Sequence, residues 1–263
     1  LQQVFRLSDW LMDRGQFVTA ERLLTDSVSP AATTLLRNSV IYRRYALHAR
    51  ALREGSLTSF GRGEPLYRAT IAQARADVKT HPDVTFQAEL VQQVANVFRA
   101  ANQAKITSAA DDLLKYSRED FPPIVARQVN NYENCITQFA HTVKEVVSPK
   151  AGIAFLLDRV DNEPEWVKYQ GNDTWSRWSW TIAYWRLDAK DLGDLEPRLL
   201  KFVIAELERD LTLRSARSRI MYHKQNSYYW DKADAYAAAA EGVLKKFPKS
   251  GDAAMYVGNY FFH

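Results

Sequence analysis

Residues 125–146 read VARQVNNYENCITQFAHTVKEV, and the apolar side chains of this stretch recur at helical spacing. From Val125 to Val146 they step by 4, 3, 4, 3, 4 and 3 positions, through Val129, Tyr132, Ile136, Phe139 and Val143. One apolar stripe at this spacing is typical of an amphipathic helix that packs on a core through one face. We therefore predict a single long helix over 125–146.

The composition extends the helical prediction to the whole chain. Glycine and proline together contribute 19 of 263 residues, about 7%, against roughly 12% in average proteins, and alanine appears 33 times. Few chain breakers and abundant alanine favour helices, and no stretch alternates apolar and polar residues with the period of two that strands need. A hydrophobic fraction of 46% with 25% charge excludes intrinsic disorder.

Start and stop signals divide the chain into further helices. Gly15 separates a helix over roughly 2–13 from a second over roughly 17–28. Serine followed by proline is typical of a helix start, and this pair occurs at Ser29-Pro30 and at Ser148-Pro149. We expect the first of these helices to end near Arg53. Further starts are predicted near Pro65, at Asp173 or Thr174 and near Asp194 with Pro197.

Charge and cysteine content exclude some classes of protein. A single cysteine excludes an internal disulfide and a zinc site with several cysteines. The chain has no run of about 18 apolar residues, so we predict no membrane span. A formal charge of +4 permits polyanion binding without demanding it. Because the chain begins without Met and ends in the apolar Tyr260-Phe261-Phe262, we interpret it as part of a longer protein.

A glycine, an aromatic residue and an alanine follow one another at close spacing near the N-terminus. They are Gly15, Phe17 and Ala20, and Leu24 lies one turn further on. The segment from Leu11 to Leu24 resembles the centre of a tetratricopeptide repeat, in which a glycine ends the first helix and a small residue lets the helices approach closely.

Residues 236–260 carry a second resemblance. The segment Lys245-Lys246-Phe247-Pro248-Lys249-Ser250 has the form K-x-F-P-x-S and reads as the end of a second helix, and residues 253–260 read as the first helix of the next repeat. This form is similar to the repeats of bacterial envelope-assembly lipoproteins and of periplasmic coiled-coil partners built of such repeats.

These resemblances imply an all-α, right-handed superhelical α-solenoid of antiparallel helix pairs, irregular in the middle, which we expect to occupy residues 1–263 as one domain. A globular orthogonal bundle is the competing arrangement. A solenoid presents a concave helical surface to a peptide or partner protein. We therefore predict a protein-interaction scaffold that needs no cofactor.

Two clusters of aromatic and basic residues offer candidates for that surface. The first is the tryptophan-rich run 175–186, and the second is the segment 214–230. Each has two interpretations, because such residues pack between helices as readily as they bind ligands. On the binding interpretation we predict a surface that draws on Arg177, Trp178, Arg217, Arg219, Tyr222 and Tyr228.

Catalytic signals are poor, and we predict neither a catalytic residue nor a metal ligand. The five histidines are far apart in the sequence. His141 and Glu145 are four apart on the predicted helix and are interpreted as a surface contact, while Cys135 near the apolar stripe is interpreted as an inert buried thiol. Two alternatives stay open. One is an α/α carbohydrate-active enzyme that pairs a carboxylate with the tryptophans, and the other is a polyanion-binding helical domain.

Overall fold

Helix-favouring sequence produces helices throughout the part of the chain that the computed structural model describes, namely residues 2–28, 32–128, 132–162, 185, 187, 189–212, 223 and 231–261. Within these ranges no strand forms, and a bridge between Thr58 and Gly61 closes a tight turn. The prediction of an all-α protein is confirmed.

The helices are α1 (Gln2–Met12), α2 (Phe17–Asp26), α3 (Thr34–Glu54), α4 (Glu64–Thr80), α5 (Val84–Gln103), α6 (Ala109–Glu119), α7 (Phe121–Val125), α8 (Tyr132–Val146), α9 (Pro149–Asp161), α10 (Ala189–Leu192), α11 (Glu196–Thr212), α12 (Ala233–Lys246) and α13 (Gly251–Phe261).

The contacts divide the chain into two compact units, residues 1–148 and residues 149–263. Each unit has its own helices and its own buried side chains, and each is described by itself.

In the first unit, the alternate helices α3, α5 and α8 lie side by side. They run parallel, because α4 is antiparallel to both α3 and α5 and because α5 and α8 meet at both their starts and their ends. Tyr42 in the first half of α3 stacks on Phe86 at the start of α5, with ring centroids 5.3 Å apart. Arg99 near the end of α5 pairs with Glu145 near the end of α8 at 2.6 Å. Helices α4 and α6 both pack against α5 and connect the members of this row.

A chain of aromatic side chains forms much of the core between α4 and α8. The ring of Tyr67 lies 6.1 Å from that of Phe98, which lies 5.7 Å from Tyr116, which lies 5.9 Å from Phe139. Phe121 of α7 completes the chain at 4.4 Å from Phe139. Aromatic pairs of this kind contribute about 0.5–1.5 kcal/mol each beyond the apolar area that they bury.

The helix pair α1 and α2 packs as the N-terminal segment predicts. Gly15 ends the turn with φ of 70°, a left-handed conformation that glycine adopts without strain. Phe17, Ala20 and Leu24 are all fully buried. The spacing of these residues therefore reports a tightly packed helical hairpin.

The prediction of one helix over 125–146 is wrong in its N-terminal part. Val125 is the last residue of α7, and a turn occupies residues 126–128, before α8 (Tyr132–Val146). Val129 lies outside the described residues. The remaining positions of the apolar stripe, from Tyr132 to Val146, are buried.

Tertiary hydrogen bonds hold this turn. The Nη2 atom of Arg127 donates to the carbonyl oxygen of Pro82 at 2.9 Å, and the Nε2 atom of Gln128 donates to that of Val84 at 2.7 Å. Pro82 lies two residues before α5 and Val84 is its first residue, and both are more than 40 residues earlier in the chain. Helical periodicity alone contains no information about such partners.

The start that we predicted for α3 at Ser29-Pro30 is also wrong. Residues 29–31 lie outside the described chain, and α3 begins at Thr34. Thr33 is extended, with φ of −61° and ψ of 154°, and its side-chain oxygen accepts a hydrogen bond from the backbone N–H of Leu36. A threonine in this conformation is a normal N-cap.

In the second unit, α11 packs on α12 and α12 packs on α13. The predicted helix starts at Ser148-Pro149 and near Pro197 are confirmed, because α9 begins at Pro149 and α11 at Glu196. The Ser250 hydroxyl donates to the carbonyl oxygen of Leu211 at 3.1 Å and accepts from the N–H of Ala253 at 3.3 Å. This serine links the end of α11 to the start of α13. The helix predicted after Asp173 lies outside the described residues.

Candidate functional site

The binding residues that the sequence predicts all lie outside the described residues: Arg177, Trp178, Arg217, Arg219, Tyr222 and Tyr228. One residue of each aromatic and basic cluster, Trp185 of 175–186 and His223 of 214–230, lies within the described residues. Trp185 is 6% exposed, and His223 is 1% exposed with its Nε2 atom 2.8 Å from Oδ2 of Asp210. These two neighbours belong to the core of the second unit, and the surface predicted from the six residues stays a prediction.

A stripe of polar side chains runs along α8 on the side opposite its apolar stripe. Its members are Asn134, Gln138, His141 and Glu145, at steps of 4, 3 and 4. All four are at least partly exposed, whereas the apolar side chains of the same helix are buried. His141 and Glu145 therefore share one face of α8, as their spacing predicts.

A second polar stripe lies on the neighbouring helix α5. It consists of Glu89, Gln92, Gln93, Asn96 and Arg99, and each of these side chains is at least partly exposed. Because α5 and α8 lie side by side and parallel, the two stripes form one surface, which we call the polar face.

Arg99 joins the two stripes of the polar face. Its Nε atom donates to Oε2 of Glu145 on α8 at 2.6 Å, and its Nη1 atom donates to Oδ1 of Asn96 on its own helix at 3.2 Å. A surface ion pair of this kind contributes about 0–1 kcal/mol to stability. Its main effect is to fix the positions of the side chains around it.

The titratable groups near the polar face are arranged to leave it nearly neutral. Burial lowers the pKa of His141, and the charge of Lys144 lowers it further while Glu145 opposes the shift, so the imidazole is neutral at pH 7. Burial, together with the charge of Glu89, raises the pKa of the Cys135 thiol beneath this face to about 11. The thiol is buried and protonated, in line with its interpretation as inert.

Five of the nine side chains of the polar face are carboxamides: Gln92, Gln93, Asn96, Asn134 and Gln138. Each carboxamide offers two N–H donors and one carbonyl acceptor. A peptide backbone has one N–H donor and one carbonyl acceptor per residue, and carboxamides can hydrogen-bond to both. The sequence analysis did not predict the polar face. The polar residues of α8 at steps of 4, 3 and 4 could have identified the part of this face that α8 contributes.

A buried network in the first unit has the residue types of a catalytic triad without the access that catalysis needs. His48 lies 2.8 Å from Glu21 through Nε2 and 3.1 Å from the Thr70 hydroxyl through Nδ1. Thr70 is fully buried in the interior of α4, and its hydroxyl donates to the carbonyl oxygen of Leu66 at 2.7 Å. Because the Thr70 hydroxyl donates its proton to the Leu66 carbonyl and not to His48, this network is structural.

Among the described residues, no group of His, Cys, Asp or Glu side chains is arranged to hold a metal ion. None of the described helices combines the length and the hydropathy that a membrane span requires. An enzyme that pairs a carboxylate with tryptophans would use the run 175–186, of which only Trp185 is described.

No family model matches the chain, and comparisons with the curated proteins and with the solved structures give no match.

Proposed function

We propose that this protein is a helical scaffold, built as a superhelical α-solenoid, that binds an extended peptide segment of a partner protein on the polar face of α5 and α8. The parallel row of α3, α5 and α8, with α4 and α6 packed against it, supports this arrangement. In a solenoid every second helix faces the same way, and the exposed side chains of such a row form a continuous surface.

The observation that carries the proposal is the concentration of carboxamides on two adjacent helices. The stripe on α8 runs from Asn134 to Glu145, a distance of about 16 Å at the helical rise. An extended peptide covers this length with about five residues. Asn134 and Gln138 on α8 then lie within reach of one side of the peptide, and Asn96 and Arg99 on α5 within reach of the other.

The charge of the polar face is consistent with backbone recognition. Arg99 and Glu145 neutralise each other and His141 is neutral at pH 7, so Glu89 supplies the one net charge among the nine side chains. Hydrogen bonds from amides to a peptide backbone tolerate many side-chain sequences, so we expect modest affinity and broad preference.

A phage-displayed library of random peptides, selected on the immobilised protein, tests the proposal. Selected peptides should bind the Asn96→Ala/Gln138→Ala double variant about tenfold more weakly, since each lost hydrogen bond is worth about 0.5–1.5 kcal/mol. Isothermal titration calorimetry with the synthetic peptides gives the comparison.

Gln3→Ala on α1 and Asn259→Ala on α13 are matched controls, because both amides are exposed and distant in sequence from the polar face. The controls should bind as the wild type does. A library that yields no specific peptide, or peptides that bind the double variant at wild-type strength, contradicts the proposal.

A further inference from the structure

A recess in the first unit lies away from the polar stripes of α5 and α8, where α4 and α6 end, α5 begins and α7 follows. Its volume is about 350 Å³, which is in the range of small-ligand pockets. We call it the α4–α7 cleft, and its polar lining includes Arg75, Lys79, Gln87, Tyr116, Asp120 and Arg127.

The cations of the cleft are held in different ways. Arg75 donates through Nε and Nη2 to Oδ2 of Asp120, at 3.0 and 2.9 Å. Arg127 is fixed by its hydrogen bonds to the carbonyl oxygen of Pro82 and to Oε1 of Gln87, the latter at 3.3 Å. Lys79 is exposed and makes no ion pair within the described ranges.

The charge balance of the cleft selects the kind of ligand. Arg75, Lys79 and Arg127 face two carboxylates, Glu119 and Asp120, which leaves an excess of one positive charge. A monoanion matches this excess. A phosphate dianion would bring a second negative charge next to Asp120, where it is repelled.

Tyr116 adds a hydrogen-bond donor that nothing else uses. Its side chain is 1% exposed, and its hydroxyl has no hydrogen-bond partner among the described residues. Burial, and then the charge of Asp120, raise the pKa of this phenol, so it stays protonated and able to donate. A buried hydroxyl without a partner costs about 1–3 kcal/mol, and a ligand that accepts its hydrogen bond recovers part of that cost.

The rest of the lining is apolar. Val78 of α4 and Pro123 and Ile124 of α7 contribute hydrocarbon surface next to the charged groups. A ligand that fits both parts has an acidic group attached to a compact apolar body.

We propose that the α4–α7 cleft binds a monocarboxylate carried on a small branched or aromatic apolar group, with the carboxylate between Lys79, Arg75 and the Tyr116 hydroxyl. A free carboxylic acid and the C-terminal residue of a peptide share this chemistry. The site is separate from the polar face, and its test is independent of the function proposed above.

Calorimetric titration of the full chain distinguishes the two sources. The probes are 4-methylpentanoate, the tripeptide acetyl-Ala-Ala-Leu with a free carboxylate, the same tripeptide as its C-terminal amide, and inorganic phosphate. Binding of 4-methylpentanoate shows that a free acid suffices, and binding of the tripeptide acid alone assigns the carboxylate to a chain end. Either result supports the proposal when the amide fails to bind and phosphate binds more weakly.

Two variants make the test specific. Tyr116→Phe removes only the hydroxyl and should weaken carboxylate binding about tenfold, because hydrogen bonds to charged groups are the stronger ones. Lys79→Gln should weaken it about two- to fivefold, since this cation is exposed. Tyr42→Phe and Lys144→Gln are the matched controls elsewhere in the same unit and should bind as the wild type does.

Thermal unfolding separates binding from folding, because Tyr116→Phe removes an unpartnered group and should melt at or above the wild-type temperature. The proposal is overturned if neither acid gives heat at about 10 mM, if the amide or inorganic phosphate binds as well as the acid, or if Tyr116→Phe binds at wild-type strength.

Discussion

The Nε2 atom of His48 lies 2.8 Å from Oε1 of Glu21, and both side chains are buried where α3 packs on α2. The other carboxylate oxygen of Glu21 accepts the backbone N–H of Ser59 at 2.8 Å. Burial opposes ionisation of this carboxyl, but the hydrogen bonds from His48 and Ser59 outweigh it and lower the pKa of Glu21 from 4.5 to about 2. The Glu21 carboxylate thus ties two helices and the loop before α4 together.

The free energy of unfolding should fall as the pH is lowered from about 4.5 to about 2. Because the pKa of Glu21 is lower in the folded chain than in the unfolded one, its contribution is complete above about 4.5 and is lost as the pH falls towards about 2. The expected loss is on the order of 3 kcal/mol. Urea unfolding at a series of pH values measures it, and Glu21→Gln should flatten the dependence in this window. An equal pH dependence in the wild type and the variant contradicts the assignment.

Phe139→Ala should destabilise the first unit by about 3–5 kcal/mol, because it removes a fully buried ring and leaves a cavity. The ring contacts both Tyr116 and Phe121. Denaturant unfolding gives the free energy of unfolding, with the neighbouring exposed Gln138→Ala as control, expected within about 0.5 kcal/mol of the wild type. A loss below about 1 kcal/mol for Phe139→Ala would show that the core between α6 and α8 is not packed as described.

Two glycine-to-alanine changes should have opposite effects. Gly15→Ala should lower the free energy of unfolding by about 1–2 kcal/mol, because a φ of 70° strains any residue with a Cβ. The added Cβ itself would have open space, since no atom lies within 4 Å of its position. Gly258→Ala, inside α13 with open space around it, should be neutral or stabilising by up to about 1 kcal/mol. Melting temperatures of the two variants give the comparison. If Gly15→Ala melts with the wild type, the turn between α1 and α2 does not have the left-handed conformation.

Cys135 should be unreactive until the first unit unfolds. The thiol is buried and its pKa is raised to about 11, so almost none of it is thiolate at neutral pH. Ellman's reagent at pH 7 should label the native protein slowly and the urea-unfolded protein quickly. Fast labelling of the native protein would mean that local unfolding of α8 exposes this cysteine to the reagent.

Local patterns in the sequence determined a good part of this structure. Helical periodicity identified the buried stripe from Tyr132 to Val146, and the spacing of Gly15, Phe17 and Ala20 identified the packed pair α1 and α2. These predictions succeed because helix phase and turn conformation depend on neighbours within a few residues.

Only the tertiary structure decided where the helices break and which of them meet. The turn before α8 depends on hydrogen bonds from Arg127 and Gln128 to carbonyl groups at the start of α5, and no local pattern encodes those partners. The polar face likewise exists because parallel packing brings Arg99 to Glu145, 46 residues apart in the chain. Side chains from distant segments become one surface only through such packing, because a helix determines which residues share its own face but not which helix lies beside it.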